Sequence, residues 1–117
     1  MKKILLFTAL SCTSFANNAM EILYLKNACN SCHGMYGEGM GASPRLQGIP
    51  EHVLLRRLKD LQNGKPRSAF GTVMISFAKA LDENQTIQMA KYLSTMETKV
   101  EEHRYEIEYE PAGDGGS

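Results

Sequence analysis

The pentapeptide Cys29-Asn30-Ser31-Cys32-His33 constrains this chain more than any other stretch. Two thiols three residues apart face one ligand when the residues between them form a helical turn. Each can then add to a vinyl group of a haem and form a thioether. The histidine that follows at once is placed to ligate the iron through a ring nitrogen. The reading is one covalently attached haem c, held through two thioethers at Cys29 and Cys32, with His33 as an axial ligand.

Three other arrangements use the same residues less well. A structural zinc site wants four protein ligands. This chain has no second cysteine pair, and His52 and His103 are lone and widely spaced. A thioredoxin-like pair expects a strand before the motif and a helix beginning at its first cysteine. Here a helical pattern precedes the motif and glycines follow it. A disulfide within the pair would leave the adjacent histidine without a role.

Composition fits a bound prosthetic group. The 117 residues are 43% hydrophobic, enough for one compact domain, yet include five Tyr, four Phe and no Trp. A porphyrin supplies the large flat apolar body that these side chains do not. Thirteen basic and thirteen acidic residues cancel, so no basic excess points to nucleic acid. The balance is uneven: residues 17–100 carry ten Lys and Arg against seven acids, and residues 101–117 carry Arg104 against six. The pattern is a mildly basic domain with an acidic tail.

The start of the chain reads as an address. Lys2 and Lys3 precede the apolar run Ile4 to Leu10, and Ser14-Phe15-Ala16 offers small residues at the positions before a signal-peptidase cut. Residues 1–16 are expected to be a cleaved secretory signal, and the protein to be periplasmic. Ala9-Leu10-Ser11-Cys12 also resembles a weak lipoprotein box. A lipid on Cys12 would tether the domain to a membrane, and no membrane association is expected otherwise. No later stretch is long and apolar enough to span a bilayer.

Between residues 17 and 100 the pattern is helical with loops. Asn17 or Asn18 is expected to cap a first helix whose apolar face is Ile22, Leu25 and Cys29. Gly34, Gly37, Gly39, Gly41 and Gly48 mark a loop, where glycine lets backbone pass close to a flat ligand. Pro50 opens a second helix with Leu54, Leu58 and Leu61 on one line, and Gly64 follows its end. Arg56, Arg57 and Lys59 lie mainly off that line, as a solvated face. Lys65 to Gly71 reads as a loop, and Thr72 to Leu81 is expected to hold a short helix. Asp82 to Gln85 is a capping-box pattern opening a last helix to about Thr98. Its expected stripe is Ile87, Ala90 and Leu93, and it is expected to pack on the first helix. Beyond Val100 the acidic tail alternates Glu106, Glu108 and Glu110 with Tyr105, Ile107 and Tyr109. It reads as a flexible solvating tail, with an edge strand or a docking role as the other readings.

Two further site residues follow from the motif. A ligating histidine normally donates its other ring N–H to an acceptor. The carbonyl of Pro44 is the expected acceptor for His33. The second face of the iron needs a ligand from a distant part of the chain. The candidates are Met20, Met35, Met40, Met74, Met89, Met96, His52 and His103; Met35 and Met40 lie too close to His33 in sequence. Met89 and Met96 look like core, and Met20 precedes the motif on the first helix. Met74 lies about forty residues on, a reach that easily crosses a porphyrin. Met74 is therefore the expected second ligand, against the alternative of a packed core methionine.

At this point the residues resemble class I cytochromes c of the small bacterial monohaem type. The likeness runs from about Glu21 to Met96. It rests on Cys29 to Gly34, on Pro44-Arg45-Leu46-Gln47-Gly48, on Met74 before the Leu81-Asp82-Glu83-Asn84 helix start, and on Ala90-Lys91-Tyr92-Leu93. Glu21 stands where the family often has a small residue at the crossing of the terminal helices. The resemblance implies an all-α fold of about four helices around one haem, with His33 and Met74 as axial ligands. It implies a respiratory electron carrier that meets donor and acceptor proteins transiently, with no catalytic residues. A haem edge ringed by some of Arg45, Lys65, Arg67 and Lys79 would make those contacts. The rival expectation is a haem subunit of a larger oxidising enzyme, or a peroxidase-like protein with an open iron position.

Overall fold

The structure, a computed structural model, describes residues 12–99. Most of the expected signal, the acidic tail of residues 101–117 and His103 lie outside the described residues. Five α-helices follow one another: α1 Cys12–Lys26, α2 Asn30–His33, α3 Glu51–Gln62, α4 Met74–Lys79 and α5 Glu83–Ser94. A 3-10 turn, Ala69–Val73, leads into α4. The described residues contain no strand, only an isolated bridge between Met40 and Ser43. The fold is all-α. The helix beyond the expected four is α2, a single turn built on the cysteine motif itself.

Helix α1 starts earlier than the sequence suggested. Asn17 and Asn18 lie within it and cap nothing, because residues 12–16 include no glycine or proline to stop the helix. Its inward face also differs. Met20 and Tyr24 are buried and Leu23 is partly so, whereas Ile22 is 59% and Leu25 41% exposed. Apolar residues occur on both sides of this helix, and packing chose the side carrying Tyr24.

Helices α3 and α1 both pack on α5, and α3 also packs on α4. The shared core comprises Met20, Tyr24, Leu54, Met89, Ala90, Leu93 and Met96. Glu21 is exposed; the small residue in the cluster that joins the terminal helices is Ala90, on α5. Helix α5 opens with the expected capping box: the Asp82 carboxylate accepts from the Gln85 N–H at 2.7 Å, and the Asp82 N–H donates to Gln85 Oε1 at 3.0 Å. It ends at Ser94, short of Thr98. Its buried line is Thr86, Met89, Ala90 and Leu93, and Ile87 faces out at 42% exposure.

Candidate haem site

The cysteine motif is set by the way α1 stops. Ala28 adopts a left-handed conformation, φ 58°. The Cys29 N–H then reaches back to the Tyr24 carbonyl at 3.0 Å and the Ala28 N–H to that of Leu25 at 3.0 Å. This is the Schellman ending, usually made with glycine. It redirects the chain so that Cys29 begins a new turn, closed by His33 N–H to the Cys29 carbonyl at 3.0 Å. Both cysteines and the histidine therefore lie on one short helical turn. Cys29 is half-buried, and burial pushes its thiol pKa up; Cys32 is exposed.

His33 is buried, and its Nδ1 lies 2.8 Å from the Pro44 carbonyl oxygen. A carbonyl has no proton to give, so Nδ1 carries the proton and donates it. The lone pair is then left on Nε2. The glycine loop brings Pro44 there. The Gly39 N–H donates to the His33 carbonyl at 2.7 Å, and the Leu46 and Gln47 N–H groups both donate to the Gly37 carbonyl, at 2.7 and 2.9 Å. Gly39, at φ +85°, sits against the backbone of residues 43–45: a Cβ there would come 2.8 Å from Arg45 N and 3.0 Å from the Pro44 carbonyl carbon. Gly37 serves the loop's own packing in the same way, its Cβ position 3.3 Å from Gln47 N, whereas nothing lies within 4 Å of that of Gly41 or Gly48. None of Gly34, Gly37, Gly39, Gly41 or Gly48 lines the cavity below, whereas Gly71 does.

A cavity of about 320 Å³ opens between the motif, α3 and α4. Cys29, Cys32, His33, Pro44 and Met74 all line it. So does the α3 leucine line of Leu54, Leu58 and Leu61, which faces this space and not only the core. Met74, at the first position of α4, is partly buried. Among the described residues it is the one methionine on the cavity wall. Met20, Met89 and Met96 are in the core, and Met35 and Met40 are each 53% exposed.

Some of the basic residues expected around the haem edge line the cavity. Lys65 and Arg67 line it, but Arg45 and Lys79 do not. Arg45 instead donates to the Gln47 carbonyl and side-chain oxygens, at 3.1 and 2.6 Å. Arg57 does line the cavity, although its place beside Arg56 suggested a solvated face. Burial, together with the like charges of Arg67 and Arg56, lowers the Arg57 guanidinium pKa. The signal for Arg57 was its spacing: it lies three residues after Leu54 and four before Leu61, on the edge of the leucine line.

The lining fits a haem. Phe70 is 79% and Val73 65% exposed, large apolar side chains on a concave wall that a flat apolar ring system would cover. Two thiols and an imidazole lone pair meet in that same space.

Comparison with known proteins agrees with this geometry. The sequence model of the family described as "Cytochrome c" matches residues 21–97. The chain is similar to "Cytochrome c-552" of Acidithiobacillus ferridurans, 35% identical over 69 residues that make up 59% of this chain and 29% of that protein. It is similar to "Thiosulfate dehydrogenase electron acceptor" of Thiomonas intermedia (strain K12), 37% identical over 71 residues, 59% of this chain and 31% of that protein. It thus spans less than a third of each of these two relatives. With "Cytochrome c-553" of Helicobacter pylori (strain ATCC 700392 / 26695) it is 29% identical over 100 residues, 82% of this chain and 99% of that protein. Every residue of the cavity wall falls inside the family match. The chain therefore belongs to the cytochrome c family, as a small class I monohaem member, and holds haem c through the sulfurs of Cys29 and Cys32.

Proposed function

We propose that this protein is an exported, non-enzymatic electron carrier whose haem iron is ligated by His33 and Met74. The observation that carries the ligand assignment is the shared cavity wall: His33 with its Nε2 lone pair, and Met74 as the one methionine there among the described residues. Haem c, when bound, supplies a one-electron couple at iron. The Pro44 carbonyl fixes the ring orientation of His33 and makes it a stronger donor. The thioether of Met74 favours the ferrous state relative to a second imidazole, which gives a comparatively high potential. Leu54, Leu58 and Leu61 keep water from one side of the site.

Partners are transient donors and acceptors. The printed name of one relative describes an acceptor of electrons from a dehydrogenase. That supports an oxidising enzyme as the class of donor here. Among the described residues no helix is long and apolar enough to cross a membrane. Export to the periplasm rests on the charged and apolar pattern of residues 1–16.

The test is optical. The ferric protein is expected to show a weak far-red band from sulfur ligation, and the reduced protein to bind no carbon monoxide. Met74→Ala should abolish the band, lower the potential and open the sixth position. An unchanged spectrum in that variant would overturn the ligand assignment. Mass spectrometry of the periplasmic fraction tests export, the cut after Ala16 and a lipid on Cys12 together.

A further inference from the structure

Gln62, the last residue of α3, spans three elements with one amide. Its Nε2 donates to the Ala78 carbonyl at 2.9 Å and to Thr86 Oγ1 at 2.8 Å, with a longer contact to the Leu81 carbonyl at 3.4 Å. The direction is fixed at Thr86, whose hydroxyl gives its own proton to the Asp82 carbonyl at 2.7 Å. Ala78 and Thr86 are both fully buried, 1% and 0% exposed.

These bonds fall where α4 needs them. A helix of six residues does not hold itself together in water. Its last carbonyls have no further helical turn to bond to, and from the backbone those of Ser76 and Ala78 receive only the long 3.2 Å bonds of the Ala80 and Leu81 N–H groups. Val73 just before α4 and Phe77 within it are well exposed and line the cavity, so within the polypeptide Ala78 is the buried residue that anchors this helix. Among the described residues, the side-chain hydrogen bond that reaches α4 itself from another element comes from Gln62, which also reaches the Leu81 carbonyl just after it. Met74 stands one helical turn before Ala78, so whatever holds Ala78 sets where the Met74 sulfur sits.

We propose that Gln62 is the positioning residue for the sixth iron ligand: it clamps α4 so that Met74 resists displacement. The proposal rests on Met74 being that ligand. Gln62 touches neither the cavity nor the iron, and acts through Met74 alone.

Imidazole binding to the ferric haem-loaded protein reads this directly, because imidazole must displace Met74. Gln62→Leu removes the clamp and leaves the Ala78 carbonyl with only the 3.2 Å bond from the Leu81 N–H, so imidazole should bind about tenfold more tightly. Gln62→Asn keeps an amide but shortens its reach, and should give an intermediate shift should the leucine variant fail to load haem. Lys59→Met breaks the exposed 3.1 Å ion pair to Glu83, another α3 to α5 link, and should leave imidazole affinity unchanged. In a Met74→Ala background Gln62→Leu should add nothing to imidazole affinity, since no ligand is left to hold. Equal imidazole affinity in wild type and both Gln62 variants, with the far-red band intact, would overturn the clamp while sparing the ligand assignment. Absence of the band from the wild-type protein would remove the ligand assignment and the clamp with it.

Discussion

The Tyr24 hydroxyl donates to the Gly34 carbonyl oxygen at 2.7 Å, tying α1 to the residue just after the cysteine motif. Tyr24 is the largest fully buried side chain of the described residues, and Gly34 is buried too. Tyr24→Phe keeps the ring but leaves that carbonyl with only the longer bond from the Gly37 N–H, at 3.2 Å. The expected cost is about 0.5–1.5 kcal/mol, read by chemical denaturation of the haem-loaded protein.

The same residue sets an alkaline limit. Burial, first of all, pushes the Tyr24 pKa well above the ordinary tyrosine value. Burial and the nearby Glu21 carboxylate also raise that of Tyr92. Above about pH 10 the unfolded chain therefore releases these protons while the folded chain keeps them. The folded state binds more protons, so stability is full below about pH 10 and falls as pH rises beyond it, by up to about 1.4 kcal/mol per pH unit for Tyr24 and by less for the more exposed Tyr92. Tyr24→Phe should remove one group's share of that slope and leave the share of Tyr92. Unfolding midpoints measured from pH 9 upward would show it.

Ala28 holds a left-handed conformation that glycine adopts without strain. Ala28→Gly relieves about 1–2 kcal/mol of backbone strain. It returns about 0.4–1 kcal/mol through the freer unfolded chain. The net expectation is a stabilisation of about 0.5–1 kcal/mol, seen as a melting temperature raised by a few degrees.

Arg57, Lys65 and Arg67 share the cavity wall with one carboxylate, that of Asp60. This positive excess favours the ferrous iron, which carries one charge fewer than the ferric. Arg57→Met should lower the reduction potential, on the order of tens of millivolts. The effect should shrink as salt is raised, because the site is open to solvent. Redox titration at two ionic strengths checks both statements.

What the sequence disclosed depended on whether a residue's role is local. The cysteine motif is legible because covalent attachment demands that spacing. The Asp82–Gln85 box is legible because its two hydrogen bonds close within four residues. The leucine line of α3 is legible as a line, but nothing in its periodicity says that it faces a cavity. The first helix misled because Ile22 and Leu25 compete with Met20 and Tyr24 for the inside, and only the Tyr24–Gly34 bond and the core around Ala90 decide between them. Gln62 was silent: a glutamine at a helix end reads as solvated, and its partners lie 16 to 24 residues away.

Gly39 joins the loop to the ligand. Its N–H holds the His33 carbonyl at 2.7 Å, and its missing side chain lets residues 43–45 lie against it. A methyl group there meets backbone, which cannot swing aside, and sits at a positive φ. Gly39→Ala should therefore cost about 2–4 kcal/mol, from left-handed strain and from overpacking together. It should also push the Pro44 carbonyl away from His33 and expose the Nδ1 proton. Proton NMR of the reduced protein would register this as faster solvent exchange of the His33 Nδ1–H. Gly41→Ala separates the two effects: at φ +55° it carries the strain, but nothing lies within 4 Å of its Cβ. That variant should lose about 1–2 kcal/mol and leave the exchange rate of the His33 proton as it was. If both variants quickened exchange alike, the cause would be general loosening of the loop and not the contact between Gly39 and the backbone of Pro44.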